Sequence, residues 1–206
     1  MSLLLRQKLP DFPWDALAPY GEIARTHPHG AIDLSVGTPV DPTPEFIQQA
    51  LRESANSPSY PLTMGTQELR TAIHHWAVTT LGATGDFAVL PLIGSKEFVA
   101  WLPTLLESAT VLYPRIAYPT YLVGALLAQA KPTDVELDAT TWPKADLAWV
   151  NSPSNPTGRV HSESELRAAI DWSRKNKSVL ISDECYLEFD HTAHSVSVLS
   201  QTGGDN

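Results

Sequence analysis

Residues 147–183 read LAWVNSPSNPTGRVHSESELRAAIDWSRKNKSVLISD. Two short apolar runs in this stretch, Leu147–Asn151 and Ser178–Ser182, predict β-strands. Between them, Ser162–Glu165 has the pattern of a capping box, which predicts that a helix begins here and continues to about Asn176. A strand, a helix and a second strand in this order predict a βαβ unit with parallel strands.

The same alternation of strand and helix extends upstream to about Phe87. Further strands and helices are predicted, in chain order, over Ala88–Ile93 (strand), Gly94–Leu106 (helix), Ala109–Tyr113 (strand), Tyr121–Ala130 (helix) and Thr133–Leu137 (strand). Repeated βαβ units favour a parallel sheet with helices on both faces. The sequence therefore predicts an α/β fold with three layers, α/β/α, around a mostly parallel sheet.

The N-terminal part of the chain lacks this alternation. Residues 1–30 predict an irregular arm with one helix near Trp14–Arg25, and Ala31–Val36 is a short apolar run that predicts a strand. Thr43-Pro44-Glu45 predicts the start of a helix, with a Thr cap, Pro at the first helical position and an acid in the first turn. Another helix is predicted over Thr66–Leu81.

Charge and cysteine content narrow the class of protein. The 206 residues carry a formal net charge of −9, which argues against nucleic acid or an anionic membrane as the main partner. A single cysteine, Cys185, cannot form an internal disulfide, so the reducing cytoplasm is the simplest compartment. No stretch reaches the roughly 20 apolar residues of a membrane span, and the first residues lack the pattern of a secretory signal.

The segment Leu92–Glu97, with the sequence LIGSKE, joins a predicted strand to a predicted helix. Free N–H groups at a helix N-terminus suit a phosphate, Gly94 lets the backbone approach it, and Ser95 can add a hydroxyl. An ordinary βα turn is the alternative interpretation. The segment lacks the sequence patterns of a P-loop and of a dinucleotide-binding fold.

Two more motifs follow predicted strands, and ligands of parallel sheets lie beyond the carboxyl ends of strands. The Asn151–Gly158 segment, NSPSNPTG, predicts a stiff turn in which either X-Pro bond could be cis, and Asn155 can donate to a phenolate-like oxygen. Asp183 ends an apolar strand, where a buried carboxylate needs a cationic partner such as a protonated pyridine, and Tyr186 could reach the same ligand. A Pro-rich surface turn and an Asp that caps a strand are the alternatives.

Other conspicuous residues are given structural roles. His74 and His75 are neighbours on a predicted helix and point in different directions, so no metal site is predicted. Cys185 stands beside Asp183 without an apparent base, and we expect it to pack. The six tryptophans are expected in the core and in interfaces.

Taken in order, these motifs resemble the pyridoxal-phosphate (PLP) aminotransferases of fold type I, classes I and II. Leu34–Pro39 (LSVGTP), with Thr43-Pro44 after it, is similar to the family's L-x-x-G-x-P…T-P segment. Tyr60–Gly65 (YPLTMG), with Leu69-Arg70 after it, is similar to the family's Y-x-x-x-x-G…L-R segment. Tyr118–Tyr121 (YPTY) is similar to a Y-P-x-Y motif found in many members.

The resemblance implies catalytic roles for two residues, Asp183 and Tyr186. Asp183 would pair with the pyridinium nitrogen of PLP and keep it protonated, which makes the ring an electron sink. Asn155 and Tyr186 would donate hydrogen bonds to the cofactor's O3′ oxygen. The implied substrates are an amino acid and a 2-oxo acid.

The resemblance also implies how the rest of the cofactor is held. Gly94, Ser95 and Lys96 would bind its phosphate, mainly with backbone amides, and Lys96 would not be the lysine that forms the Schiff base. Tyr118 would stack on the pyridine face. Tyr121 is the alternative for this role, because its spacing from the preceding strand is ambiguous.

Two residues outside the α/β region have implied roles as well. Tyr60 would reach the phosphate of a neighbouring subunit, which implies a homodimer, and Gly37 would let its backbone approach the substrate carboxylate. Residues 1–40 would form an N-terminal arm and a small-domain segment. Residues 41–206 would form an incomplete PLP-binding large domain of the aspartate-aminotransferase type.

The family's Schiff-base lysine usually stands in an S-x-x-K motif some way past the Asp-x-x-Tyr segment. The arginine that holds the substrate carboxylate is expected in the C-terminal small domain. The sequence ends at Asn206 without either residue in such a context. The resemblance therefore implies an N-terminal fragment of a longer enzyme, truncated at its C-terminus and inactive alone.

Three segments suggest a subfamily: Leu9–Asp15, Ser35–Pro39 and Gly94–Glu97. They most resemble succinyldiaminopimelate aminotransferases of the actinobacterial type, which act in lysine biosynthesis with glutamate and 2-oxoglutarate. LL-diaminopimelate aminotransferase, an aspartate or aromatic aminotransferase and a PLP-dependent C–S β-lyase are alternatives. A non-catalytic remnant that retains cofactor binding or dimerisation is another.

Overall fold

The computed structural model describes residues 9–11, 13–34, 37, 39–192 and 194–201. The chain divides into two compact units, one spanning Pro10–Thr63 and the other containing Leu9 and the residues from Met64 onward. The domain boundary after residue 40, which was inferred from the sequence, stays a prediction. No helix in the described part of the chain has the length and apolar character needed to cross a bilayer.

The unit Pro10–Thr63 contains a short 3-10 helix at Asp15–Leu17 and two α-helices, α1 (Ala18–Arg25) and α2 (Glu45–Ser54). The helix predicted to begin at Thr43-Pro44-Glu45 is present, but Pro44 is its N-cap with extended backbone rather than its first helical residue. Neither α1 nor α2 has a buried residue.

The strand predicted over Ala31–Val36 is wrong for residues 31–34, which have no regular secondary structure; Ser35 and Val36 lie outside the described residues. A strand exists only where a neighbouring strand takes up its hydrogen bonds. The apolar run at residues 31–34 has no such partner among the described residues, and Ile32 and Leu34 are exposed.

The second unit has a regular alternation of helices and strands. Its elements are α3 (Gln67–Thr79), α4 (Ser95–Leu105), β1 (Thr110–Pro114), α5 (Thr120–Leu127), β2 (Lys131–Val135), β3 (Leu147–Asn151), α6 (Glu163–Asn176) and β4 (Val179–Asp183). The four strands are all parallel and lie in the order β2-β1-β3-β4. The predicted α/β fold with a parallel sheet is confirmed.

The two faces of the sheet carry separate apolar clusters, because successive residues of a strand point to opposite sides. One face packs against α6 through Leu112, Ala148, Val150, Ala169 and Trp172. The opposite face packs against α4 and α5 through Val99, Val111, Tyr121, Ala125, Leu147 and Trp149. Every residue of β3 is buried, so this strand is the centre of the three-layer core.

Two helix starts follow the local sequence signals. The Thr66 side chain caps α3 by accepting the N–H of Leu69, at 3.2 Å. At α6, Ser162 and Glu165 form the predicted capping box, in which each side chain accepts the backbone N–H of the other residue. Both starts are confirmed because a cap depends on residues only three positions apart.

The segment Ala88–Ile93 forms no strand, so this prediction is wrong. Within the described residues, the sheet consists of β1 to β4 alone, and none of these strands pairs with residues 88–93. Helix α4 begins immediately after the segment nevertheless, at Ser95, because its start depends on the Gly94–Ser95 boundary and not on a preceding ladder.

Gly124 sets how closely α5 approaches α4. A Cβ atom at this position would lie 2.9 Å from the carbonyl oxygen of Val99 and 3.0 Å from that of Ala100. Both neighbours are backbone atoms of α4, which cannot swing aside as a side chain could. The absence of a side chain at Gly124 therefore fixes the position of α4 on the sheet.

We predict that Gly124→Ala destabilises the protein. Overpacking against a helix backbone costs about 1–3 kcal/mol, which exceeds the helix-propensity gain of about 1 kcal/mol from replacing glycine by alanine. Urea unfolding should therefore show a lower free energy of unfolding.

Gly21→Ala is the matched control. Gly21 lies inside α1, and a Cβ there would meet only the flexible Arg25 side chain, at 3.2 Å. This variant should be unchanged or more stable, because the propensity gain of about 1 kcal/mol acts without a clash. Equal effects of the two substitutions would show that the contact of α5 with α4 is not tight.

Candidate active site

A cavity of about 170 Å³ lies at the carboxyl ends of β3 and β4, where the side chains of Asn151 and Asp183 reach it. Its lining consists of Ser95, Lys96, Val99, Tyr118, Tyr121, Asn151, Asn155, Asp183, Cys185 and Tyr186. Among these are six residues that the sequence assigned to cofactor binding: Ser95, Lys96, Tyr118, Asn155, Asp183 and Tyr186. Parallel sheets bind ligands at this edge, near the point where the strand order reverses.

Asp183 is the last residue of β4 and lies beside Asn151 in the register of the sheet. Its Oδ2 accepts a hydrogen bond from the Tyr121 hydroxyl at 2.7 Å, and its Oδ1 accepts the backbone N–H of Cys185 at 3.2 Å. The half-buried carboxylate is thus held in one orientation at the cavity wall. A carboxylate in this setting favours a cationic group on a ligand.

Tyr121 supports Asp183 from the core. Its side chain is fully buried and stacks on Trp149, with ring centroids 4.8 Å apart. Burial, and then the charge of Asp183, raises the pKa of the Tyr121 phenol, so that it stays protonated and donates to the carboxylate. The sequence suggested Tyr121 only as an alternative stacking residue, and its bond to Asp183 was not predicted.

Tyr118 lies just before α5 and is half-buried in the lining of the cavity. Its ring meets that of Tyr121 edge to face, with centroids 5.9 Å apart and planes at 82°. The two tyrosines of the YPTY motif therefore have different environments. Tyr121 is in the core and bonded to Asp183, whereas Tyr118 offers an aromatic surface.

The N-terminus of α4 borders the same cavity through Ser95 and Lys96. Gly94 is its N-cap, and no side chain of the described residues caps this end of the helix. A Cβ at Gly94 would meet no described atom within 4 Å, so glycine leaves the helix end open. Backbone N–H groups and the helix dipole at such an end attract an anion.

Asn155 and Tyr186 meet at the rim of the cavity. The Asn155 Nδ2 lies 3.5 Å from the Tyr186 hydroxyl, at the limit of hydrogen-bond distance. Burial raises the pKa of the Tyr186 phenol, and the nearby Cys185 and Asp183 add to this effect. The Tyr186 phenol therefore keeps its proton at neutral pH and can donate a hydrogen bond. The Asn155 amide is a donor as well, because it does not titrate. The loop that carries Asn155 contains two cis peptide bonds, Ser152-Pro153 and Asn155-Pro156.

Cys185 does not pack in the core, so this expectation is wrong. The residue is exposed and lines the cavity. Partial desolvation of the thiol in the cavity wall, and then the charge of the Asp183 carboxylate, raises the pKa of Cys185 to about 12. A thiol that keeps its proton at neutral pH is a poor nucleophile.

Two of the predicted site residues belong to the other unit, Pro10–Thr63. Tyr60 is 98% exposed, and Gly37 is also exposed. Their roles at a subunit interface and at a substrate carboxylate stay predictions.

The donor set of the cavity fits PLP. This cofactor has a ring nitrogen, a phenolic oxygen, a flat ring and a phosphate, and the cavity offers a carboxylate, hydrogen-bond donors, an aromatic ring and an open helix N-terminus. Asp183 is the carboxylate that would face the ring nitrogen, and Asn155 and Tyr186 would be the donors to the phenolic oxygen. The Tyr118 ring would lie on the flat ring of the cofactor, and the N-terminus of α4 would hold the phosphate. Among the described residues, no group of three His, Cys, Asp or Glu side chains could hold a metal ion.

Known proteins with similar sequences include several aminotransferases. The 4-dedimethylamino-4-oxo-anhydrotetracycline transaminase OxyQ of Streptomyces rimosus is 45% identical over 199 residues, which cover 94% of this chain and 55% of that protein. A probable aminotransferase of Mycobacterium tuberculosis is 46% identical, over 93% of this chain and 47% of its own length. The LL-diaminopimelate aminotransferase of Aquifex aeolicus is 33% identical, over 76% and 46%. The chain spans about half the length of these relatives.

Solved structures agree with this grouping. Aminotransferase AspB of Helicobacter pylori matches with a TM-score of 0.82 and 25% identity, over 97% of this chain and 58% of that one. A probable N-succinyldiaminopimelate aminotransferase of Thermus thermophilus matches with a TM-score of 0.80 and 28% identity, over 91% and 56%. Residues 29–202 match the family model of aminotransferase class I and II. The chain therefore belongs to the class I and II aminotransferases, a family of enzymes that depend on PLP.

Proposed function

We propose that the protein carrying this chain transfers an amino group between an amino acid and a 2-oxo acid, with PLP held in the cavity at the ends of β3 and β4. One observation carries the proposal: a half-buried carboxylate, Asp183, shares a cavity of about 170 Å³ with the N-terminus of α4. A cation-binding group and an anion-binding group in one small cavity match the two charged ends of PLP.

Asp183 would hold the ring nitrogen of PLP in its protonated form. An opposite charge at contact distance shifts a pKa by about 1–3 units, or roughly 1.4–4 kcal/mol. The hydrogen bond from the Tyr121 hydroxyl keeps the Asp183 carboxylate in a fixed orientation. When bound, PLP supplies an electron sink for the substrate carbon that loses its proton.

Binding of the other parts of PLP follows from the lining. The first turn of α4 would hold the phosphate through the backbone at Gly94, Ser95 and Lys96. The Tyr118 ring would cover one face of the pyridine. Asn155 and Tyr186 would donate to the phenolic oxygen, because both keep their donors at neutral pH.

A homodimer is part of the proposal. Tyr60 is almost fully exposed, although an aromatic ring of this size is usually buried in part. Its contact with the phosphate of a partner subunit would explain this exposure. Gly37 would bring its backbone to the substrate carboxylate.

For the substrate, we propose N-succinyl-LL-diaminopimelate, whose amino group is exchanged with the glutamate and 2-oxoglutarate pair, as in lysine biosynthesis. Support comes from the sequence segments named above, from the similarity to the probable N-succinyldiaminopimelate aminotransferase of Thermus thermophilus and from the 33% identity to an LL-diaminopimelate aminotransferase. A second candidate is amination of a polycyclic ketone. The 45% identity to the 4-dedimethylamino-4-oxo-anhydrotetracycline transaminase of Streptomyces rimosus favours it.

A substrate panel tests the proposal. The full-length protein, loaded with PLP, should convert 2-oxoglutarate to glutamate most efficiently with N-succinyl-LL-diaminopimelate, and less well with LL-diaminopimelate, aspartate or aromatic amino acids. Higher kcat/KM with glutamate and a 4-oxo-anhydrotetracycline-like ketone would favour the second candidate. Amino transfer would be rejected if no donor formed glutamate and if glutamate with the ketone formed no 2-oxoglutarate.

We predict that Tyr121→Phe lowers kcat/KM about 10- to 150-fold, because a hydrogen bond to a charged group contributes about 1.5–3 kcal/mol. Tyr113→Phe is the control, since Tyr113 packs in the same apolar cluster and makes no bond to Asp183. Its kcat/KM should match that of the unaltered protein. If both variants kept full activity, the hydroxyl on Asp183 would have no part in the reaction.

We also predict slow alkylation of Cys185 despite its exposure. With a pKa near 12, its thiol is far less ionised at pH 8 than an ordinary cysteine, and we expect iodoacetamide to react about 100-fold more slowly than with glutathione. The rate should keep rising above pH 9 and fall when PLP is added. Mass spectrometry of the Cys185 peptide gives both rates. Reaction as fast as glutathione, or no protection by PLP, would contradict the assigned environment.

A further inference from the structure

Asn151 is the last residue of β3 and is only 2% exposed. None of the contacts proposed for PLP uses its side chain. Its Nδ2 donates hydrogen bonds to two carbonyl oxygens, those of Asp183 at 2.9 Å and Pro153 at 3.2 Å. Its Oδ1 accepts the backbone N–H of Asn155 at 2.7 Å.

These three bonds connect the two places from which the cofactor ring would be held. Asp183 ends β4, whereas Asn155 lies in the loop that follows β3. The backbone N–H of Ser152 also donates to the Asp183 carbonyl, at 3.2 Å, so the same loop is tied twice to the same residue. The distance between Asp183 and Asn155 is thereby set by one buried amide and its neighbour.

Only an amide satisfies this geometry. The site requires two N–H donors toward carbonyl oxygens and one acceptor toward a backbone N–H, and Asn supplies all of them from one planar group. An Asp at this position would direct an oxygen at two carbonyl oxygens. A Ser would offer a single hydroxyl. Loss of such bonds inside a protein leaves buried polar groups unsatisfied.

We propose that Asn151 is a positioning residue, which fixes Asp183 relative to Asn155 and so sets the affinity for PLP and the pH at which the bound cofactor changes its absorbance. The inference rests on the proposed function of the cavity. A change in the separation of the two residues would alter how the ring nitrogen and the phenolic oxygen are held together, and these two contacts determine the proton affinity of the cofactor.

The test is Asn151→Asp in the full-length protein, because this substitution keeps the shape and the acceptor of the side chain and removes its donors. Asp146→Asn is the matched control. Asp146 immediately precedes β3, at the opposite end of the strand, and its carboxylate also accepts three hydrogen bonds, from the Ala109 N–H (2.9 Å), the Thr110 N–H (2.8 Å) and the Thr110 hydroxyl (2.8 Å).

Two quantities are measured by absorbance after removal of PLP and titration with it: the apparent Kd for PLP and the pH midpoint of the bound cofactor's spectral change. We expect Asn151→Asp to raise the Kd about 10- to 100-fold and to shift the pH midpoint. Asp146→Asn should lower the Tm while leaving Kd and pH midpoint unchanged. Because Asn151→Asp introduces a charge into a buried position, Asn151→Ser is the second variant, and it should change the same two quantities in the same direction.

The outcomes separate the inference from the proposed function. If the unaltered protein binds PLP and the Asn151 variants lose only Tm, with the Kd and pH midpoint of the unaltered protein, the inference is overturned and the proposed function stands. Equal shifts in Asp146→Asn would also overturn it, since the effect would then follow general destabilisation. Failure of the unaltered protein to bind PLP would overturn the proposed function, and the inference with it.

Discussion

The register between β3 and β4 is the constraint on which the site depends, because it sets Asn151 beside Asp183 at the carboxyl edge of the sheet. Parallel strands end at the same edge, so polar residues that follow them meet in space although they are far apart in sequence. Tyr121 and Asn151 then fix the acid from two sides, one through its carboxylate and the other through its carbonyl. The ligand-facing groups are therefore oriented by the protein before any ligand arrives.

Helix α4 completes the site from a different layer. Its position is determined by the close approach of α5 at Gly124, and its N-terminus borders the cavity that Asp183 lines. The two helices pack on one face of the sheet through the cluster that includes Tyr121 and Trp149. Core packing and site geometry thus depend on the same residue, because Tyr121 fills the core and also donates a hydrogen bond to Asp183.

Sequence patterns predicted the fold and six of the residues that line the cavity, because caps, βαβ alternation and strand-end motifs are local signals. Ala88–Ile93 was predicted as a strand and is not one, since pairing depends on a partner that no local pattern reveals. Asn151 and the bond between Tyr121 and Asp183 were missed for a related reason. The bond from Asn151 to Asp183 spans 32 positions of the chain, and the bond from Tyr121 to Asp183 spans 62. No local sequence pattern indicates contacts between residues so far apart.

The residues that line the cavity extend along the chain from Ser95 to Tyr186. A ribosome releases the chain from its N-terminus, so α4 leaves the exit tunnel well before β4 does. The carboxylate and the helix end can face a common ligand only after β4 has emerged and docked on β3. A ligand that contacts both groups can therefore bind only after β4 has paired with β3, and its binding would stabilise the paired strands rather than direct their formation.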